Sequence, residues 1–189
     1  MKRVHTFTKK LAVVFVFLLL LSASAFADQN DIRLEELFKN LKSTESVRKA
    51  SVFESKIWHI WMEHYDSEVE SAMFQGVEAM KLQQFEQAFG HFSLLIKLAP
   101  DYAEGWNKRA TVLYLMSRFK ESEADVMRTL ELEPRHFGAL SGQGLIRIAL
   151  QDWTGAIYFL ESALKINPHM HGVFINLKYA RQKYKESMT

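Results

Sequence analysis

The chain is 189 residues long, with 24 Lys and Arg against 22 Asp and Glu, and 48% of its residues are hydrophobic. That size is ample for a core, since roughly 70% of the unfolded surface is buried by a chain of about 150 residues. With no Cys in the sequence, disulfides, thiolate metal sites and a lipid-modified cysteine are excluded.

Residues 1–27 read as an export signal. Lys2, Arg3, Lys9 and Lys10 make a basic start, an apolar run extends from Leu11 to Leu21, and Ala25-Phe26-Ala27 fits a cleavage site before Asp28. As a helix that run reaches about 16 Å against a bilayer core of ~30 Å. Cleavage rather than membrane insertion is therefore expected, with an uncleaved anchor as the alternative. Cleavage would leave 20 basic against 22 acidic side chains. A net charge of −2 makes no electrostatic case for nucleic acid. The expected compartment is the periplasm.

Residues 28–66 form two predicted helices that make an N-terminal helical cap. Ile32, Leu34, Leu37, Phe38 and Leu41 give one apolar face; Val47, Ala50, Phe53, Ile57, Trp58, Trp61 and His64 give a second. The pair is expected to cover the open first face of the helices beyond it. Trp58 and Trp61 belong to its packing, or else form an anchor for a partner or a membrane interface. Ser67, three before Glu70, predicts the cap of the next helix.

From there the chain repeats. Its three prolines, Pro100, Pro134 and Pro168, fall on a fixed 34-residue period. In the same register recur Ile96/Leu130/Leu164, Leu98/Leu132/Ile166, the aromatics Phe85/Phe119/Trp153, and small residues at Gly76/Ala110/Gly144 and Ala88/Ser122/Ala156. A fixed period of that length predicts stacked helix pairs. The small residues let the paired helices approach closely, and each proline ends a second helix.

Over residues 69–168 this pattern resembles the tetratricopeptide repeat family. The segments Ala103-Glu104-Gly105-Trp106-Asn107-Lys108-Arg109-Ala110 and Thr129-Leu130-Glu131-Leu132-Glu133-Pro134 are similar to its first-helix and second-helix motifs. Arg109 departs from the family's apolar preference, and Ala79 and Arg147 from its aromatic one. The resemblance implies an all-α, right-handed α-solenoid, with three helix hairpins in residues 67–170 and a capping helix in 171–189. In that helix Val173, Phe174, Leu177 and Ala180 make one face. Lys178, Arg181, Gln182, Lys183 and Lys185 provide a solvated cover or a site for an acidic partner. The stretches Trp58-His59-Ile60-Trp61 and Arg135-His136-Phe137-Gly138-Ala139-Leu140 are further similar to small exported bacterial repeat proteins.

In the family, first helices line a concave groove that accepts a partner's peptide or helix. By register the groove positions here are Met73, Val77 and Met80, then Asn107, Thr111 and Tyr114, then Ser141, Leu145 and Ile148. The resemblance implies that Asn107 can bond a partner's backbone and that Met73 and Met80 give adaptable apolar contact. Repeat domains that clamp acidic C-termini carry cations at positions held here by Met73, Val77, Gly138 and Gly142, so that subtype is excluded.

No chemistry is expected. His59 and His64 are five apart and point about 140° apart around a helix, so they do not make a zinc-peptidase pair. His169 and His171 are too few ligands for a structural zinc site. Gly142-Gln143-Gly144 has no strand before it, as a phosphate loop requires. No catalytic residue, cofactor or metal is assigned. The expected function is an exported adaptor or scaffold for a protein or peptide segment, in envelope assembly or maintenance. The alternative is a self-assembling module using the Trp58/Trp61 face or the array ends.

Overall fold

The computed structural model describes residues 28–189, so the expected signal segment lies outside the described residues. These fold into nine helices with no strand among them. A hairpin of α1 (Arg33–Ser43) and α2 (Val47–Met62) precedes three helix pairs: α3 (Ser67–Lys81) with α4 (Phe85–Leu98), α5 (Ala103–Leu115) with α6 (Phe119–Leu132), and α7 (Phe137–Ala149) with α8 (Trp153–Ile166). Helix α9 (His171–Glu186) ends the array. Each element packs chiefly on its neighbours in sequence, as in a solenoid.

The small residues do what their register predicts. A Cβ on Gly76 would stand 2.5 Å from the Phe92 ring, and one on Gly144 would stand 2.5 Å from Leu160. In the middle pair Ala110 meets Ser122, whose buried Oγ donates to the Ala110 carbonyl at 2.7 Å. Every pair turns in the same way. Gln83, Ser117 and Gln151 adopt φ of 57°, 58° and 57°, and the two N–H groups at each turn close back on the preceding helix. This is a Schellman ending with a non-glycine residue in the left-handed position. The helix cap predicted at Ser67 falls one residue earlier: Asp66 accepts from the Glu68 N–H at 2.8 Å, and Ser67 begins α3.

The α1–α2 hairpin does not cover the first face of the array. It lies along one edge, across the two turns that join successive pairs and the turn between α8 and α9. At the first turn the Gln29 side chain donates to the Asp101 carbonyl (2.6 Å) and accepts from the Ala103 N–H (3.2 Å), while the Tyr102 hydroxyl donates to the Trp61 carbonyl (2.7 Å). At the second, Arg135 pairs with Glu35 at 2.5 Å and lies over Phe38. At the third, Asn167 donates to Glu54 at 3.0 Å, while Met170 packs on the hairpin core of Leu34, Phe38, Leu41 and Ile57. Tyr102, His136 and Met170 occupy equivalent N-cap positions, one per repeat, and all three touch the hairpin. Ile32 and Val47, expected on the apolar faces, are exposed.

The sequence explains why the first face needs no cover. Where α5 and α7 present Gly105, Arg109, Val112 and Ala139, Gln143, Ile146 to the preceding unit, α3 presents Ser71, Gln75 and Glu78. Gln75 bonds Ser71 at 3.3 Å at the surface. Those positions are polar, and only Phe74 beside them leaves apolar surface open.

The departures from the repeat pattern have partners. Arg109 pairs with Asp125 through two bonds (2.7 and 2.8 Å), reaches Ser93 at 3.3 Å, and lies over the rings of Trp106 and Phe89. Arg147 pairs with Glu123 and Asp152, and buried Gln143 donates to the same Glu123 at 2.7 Å. Ala79 is simply buried in the first core.

Candidate functional site

Helices α5, α7 and α9 lie side by side as successive first helices of the array. Between α5 and α7 opens a cavity of about 190 Å³. Asn107, Thr111 and Tyr114 line one wall, Gly138, Ser141, Gly142 and Leu145 the other, with Ala110, Ser122, Val126 and Ile146 completing it. Five of the nine groove positions read from the sequence therefore meet here. The other four lie elsewhere. Met73 is buried in the α3–α4 core beside Tyr102, with Val77 and Met80 half-buried against it, and Ile148 packs on the α8–α9 core.

No charged side chain lines the cavity. The Asn107 amide donates to Glu104 at 2.9 Å, and the Thr111 hydroxyl donates to the Asn107 carbonyl at 2.9 Å. Among the described residues the hydroxyls of Tyr114 and Ser141 make no hydrogen bond, so both are available to a ligand. On Gly142 a Cβ would meet nothing within 4 Å, which leaves backbone open to the cavity.

Beneath Asn107 sits a buried polar knot. Glu104, 1% exposed, receives Lys108 Nζ at 2.9 Å on one oxygen, and Asn107 and His136 Nε2 at 2.9 Å on the other. Burial alone would raise the Glu104 pKa; the Lys108 ammonium and the His136 bond outweigh it and hold it at about 2. His136 Nδ1 accepts the Ala139 N–H at 3.0 Å, so Nε2 carries the proton donated to Glu104. The His136 ring stacks on Trp61 at 4.1 Å, and Trp58 meets it edge-on. The two tryptophans are thus part of an internal junction, with Trp61 1% exposed. Trp58 also fills the space a Cβ on Gly138 would take.

Two positions escaped the sequence reading. Ile175 and Tyr179 lie one full period beyond Ser141 and Leu145, on a helix read only as a cap, and both are exposed. Helix α9 buries Val173, Leu177 and Ala180 just as α7 buries the equivalent Ala139, Gln143 and Ile146. In register it is the first helix of a fourth unit. The 34-residue period was the signal that could have revealed this.

Among the described residues no group of three or more His, Asp or Glu comes together as a metal site. His59 pairs with Glu63, and His64 Nδ1 accepts the Asp66 N–H.

No family model matches the chain. A TPR repeat-containing protein of Rhizobium etli is 36% identical over 114 residues, which cover 60% of this chain and 56% of the relative. The chain thus spans little more than half that relative's length. Among solved structures, the TPR2B-domain:pHsp70 complex of yeast Sti1 superposes with a TM-score of 0.60 at 23% identity, over 62% of this chain and 99% of that one. The first TPR of Spaghetti (RPAP3), bound to the HSP90 peptide SRMEEVD, gives 0.62 at 21% identity, over 64% and 96%. At these identities the structural likeness is one of fold. Sequence likeness, superposition and the 34-residue register agree that residues 67–166 fold as three helix pairs similar to a tetratricopeptide repeat array.

Proposed function

We propose that this protein is an exported adaptor that holds a segment of a partner protein against α5 and α7. The observation that carries this reading is the uncharged cavity between those helices, with two uncommitted hydroxyls at its walls. A dry cavity of about 150 Å³ accommodates benzene, so the 190 Å³ here suits one apolar side chain of a partner. Ser141 and Tyr114 would then bond the backbone beside that anchor, as buried amides require. Structural neighbours in complex with pHsp70 and with an HSP90 peptide support segment capture in this fold. A peptide such as SRMEEVD, with three acidic residues, is a poor match for walls that hold no cation. The partner is instead a neutral or apolar stretch, and the expected setting is envelope assembly or maintenance in the periplasm.

The test is a photo-crosslinking residue at position 114 in intact cells, with mass spectrometry of the captured band and of the mature N-terminus. One dominant envelope protein, lost in Gly142→Arg, and a chain starting at Asp28 are expected. Gly142→Arg keeps the fold, because nothing occupies the space beyond its Cα. Capture that is indifferent to Gly142→Arg would refute the groove; an uncleaved N-terminus would refute export with cleavage.

A further inference from the structure

The two ends of the array carry opposite charge around an exposed phenylalanine. At the first end, α3 holds Glu68, Glu70 and Glu78 against Lys81 alone, and Phe74 is 67% exposed between Glu70 and Glu78 at i−4 and i+4. At the last end, α9 holds Lys178, Arg181, Lys183 and Lys185 against Glu186, and Phe174 is 56% exposed one turn before Lys178.

On α9 the second stripe stands exposed at positions that are covered in the other units. In the other units the equivalents of Phe174 and Lys178 are Ala72/Gly76, Trp106/Ala110 and Leu140/Gly144, of which Gly76, Ala110 and Gly144 meet Phe92 of α4, Ser122 of α6 and Leu160 of α8. On α9 the close-contact position is Lys178, a long charged side chain where α7 has Gly144 packed on Leu160 of α8. Some of these charges have partners in the chain: Glu78 meets Lys81 at 2.6 Å, Arg181 meets Glu161 at 2.8 Å, and Lys183 meets Glu186 at 2.8 Å. Lys178, Lys185 and Glu70 are exposed.

We propose that a second copy of this chain docks head to tail, with the Glu70–Phe74–Glu78 stripe of one protomer against the Phe174–Lys178–Arg181 stripe of the next. Each phenylalanine is covered by the other end, and each charge meets its opposite. Such a contact is heterologous, so it propagates into open chains unless the rotation closes a ring. It uses none of the cavity-lining residues, so it stands or falls apart from partner capture.

Sedimentation of the protein purified from cells expressing the full chain tests this. At about 20 mM salt, where charges act over roughly 20 Å, the weight-average mass should at least double as concentration rises; at about 0.5 M salt it should fall back to monomer. The double variants Glu70→Lys/Glu78→Lys and Lys178→Glu/Arg181→Glu should each be monomeric alone, and mixing them should restore association. All four positions lie at the surface, and an unchanged circular dichroism melt will establish folding. Phe74→Ser provides a second, uncharged disruption of the same contact. A wild-type monomer at every concentration would overturn the proposal, as would association that ignores salt and both swaps. A monomer that binds anionic phospholipid vesicles through Lys178 and Arg181 would overturn it too, giving the basic stripe to a membrane surface.

Discussion

Replacing Glu104 with Gln tests the buried knot most directly, because the exchange keeps shape and removes charge. Three donors converge on the carboxylate: Lys108 on one oxygen, Asn107 and His136 on the other. A glutamine must turn its amide toward one of these groups, donor against donor. His136 cannot answer by changing tautomer, since its other nitrogen accepts the Ala139 N–H. Lys108 is the partner that yields, because its side chain is 21% exposed and can swing to water. The loss then sits near the low end of the 3–5 kcal/mol typical of a broken buried pair, about 3 kcal/mol at pH 7. Proton linkage gives a comparable figure. The folded pKa of about 2 lies below the ordinary 4.5, and at ~1.4 kcal/mol per unit the difference is worth roughly 3 kcal/mol. Because the folded value is depressed, that stability is complete above pH 4.5 and drains away as the pH falls toward 2. The variant has nothing there to lose, so the gap between the two proteins should close in acid. Urea denaturation at pH 7 and near pH 2.5 measures this. With a slope of ~1–3 kcal/mol per molar, the midpoints should differ by roughly 1–3 M at pH 7 and by much less in acid. An equal or wider gap in acid would refute the assignment of Glu104 as a charged, paired carboxylate.

Trp61→Ala should destabilise the fold by about 3–5 kcal/mol, because the ring stacks on His136 and packs against Phe38, Phe137 and Trp58; hydrogen exchange should show α1 and α2 losing protection before α3 and α4. Arg109→Met should cost about 3–5 kcal/mol by stranding Asp125, which is buried. Adding Asp125→Leu should recover most of that loss in a chemical melt, and no recovery would mean that the Arg109 stem, not its charge, matters. Gly144→Ala should cost ~1–3 kcal/mol by pressing on Leu160, whereas Gly90→Ala, in open space within α4, should gain up to about 1 kcal/mol; thermal melts that reverse this order would refute the packing argument.

The array was legible because repeat geometry leaves its mark at fixed intervals. Prolines, aromatics and small residues each answer a local demand that recurs once per repeat, and a local demand can be read from one sequence. The hairpin's position was not legible. Tyr102, His136 and Met170 share a register yet differ in chemistry, since each fits a different part of α1–α2, and nothing local links His136 to Trp61. One clue was present: Ser71, Gln75 and Glu78 made the first face polar, so it never needed the cover assigned to it. Arg109 read as a departure because its partner, Asp125, lies 16 residues away on the facing helix. The groove was half legible for a related reason. Register gives the side of a helix, but Met73 is buried in a core that also takes in Tyr102, a residue 29 positions away that register alone does not place there.

The hairpin along the edge has a mechanical consequence. A plain solenoid behaves as a spring, because each unit touches only the next and small rotations accumulate along its length. Here the hairpin and the turn leading into it are fastened at three successive coils, through Gln29 and Trp61 at the first, Glu35 and Phe38 at the second, and Glu54 at the third. Those fastenings oppose stretching and unwinding together, so the spacing between α5 and α7 is set before any ligand arrives. A strapped spring has little shape entropy left to surrender on binding, and selectivity then rests on what fits a fixed gap rather than on what can bend it.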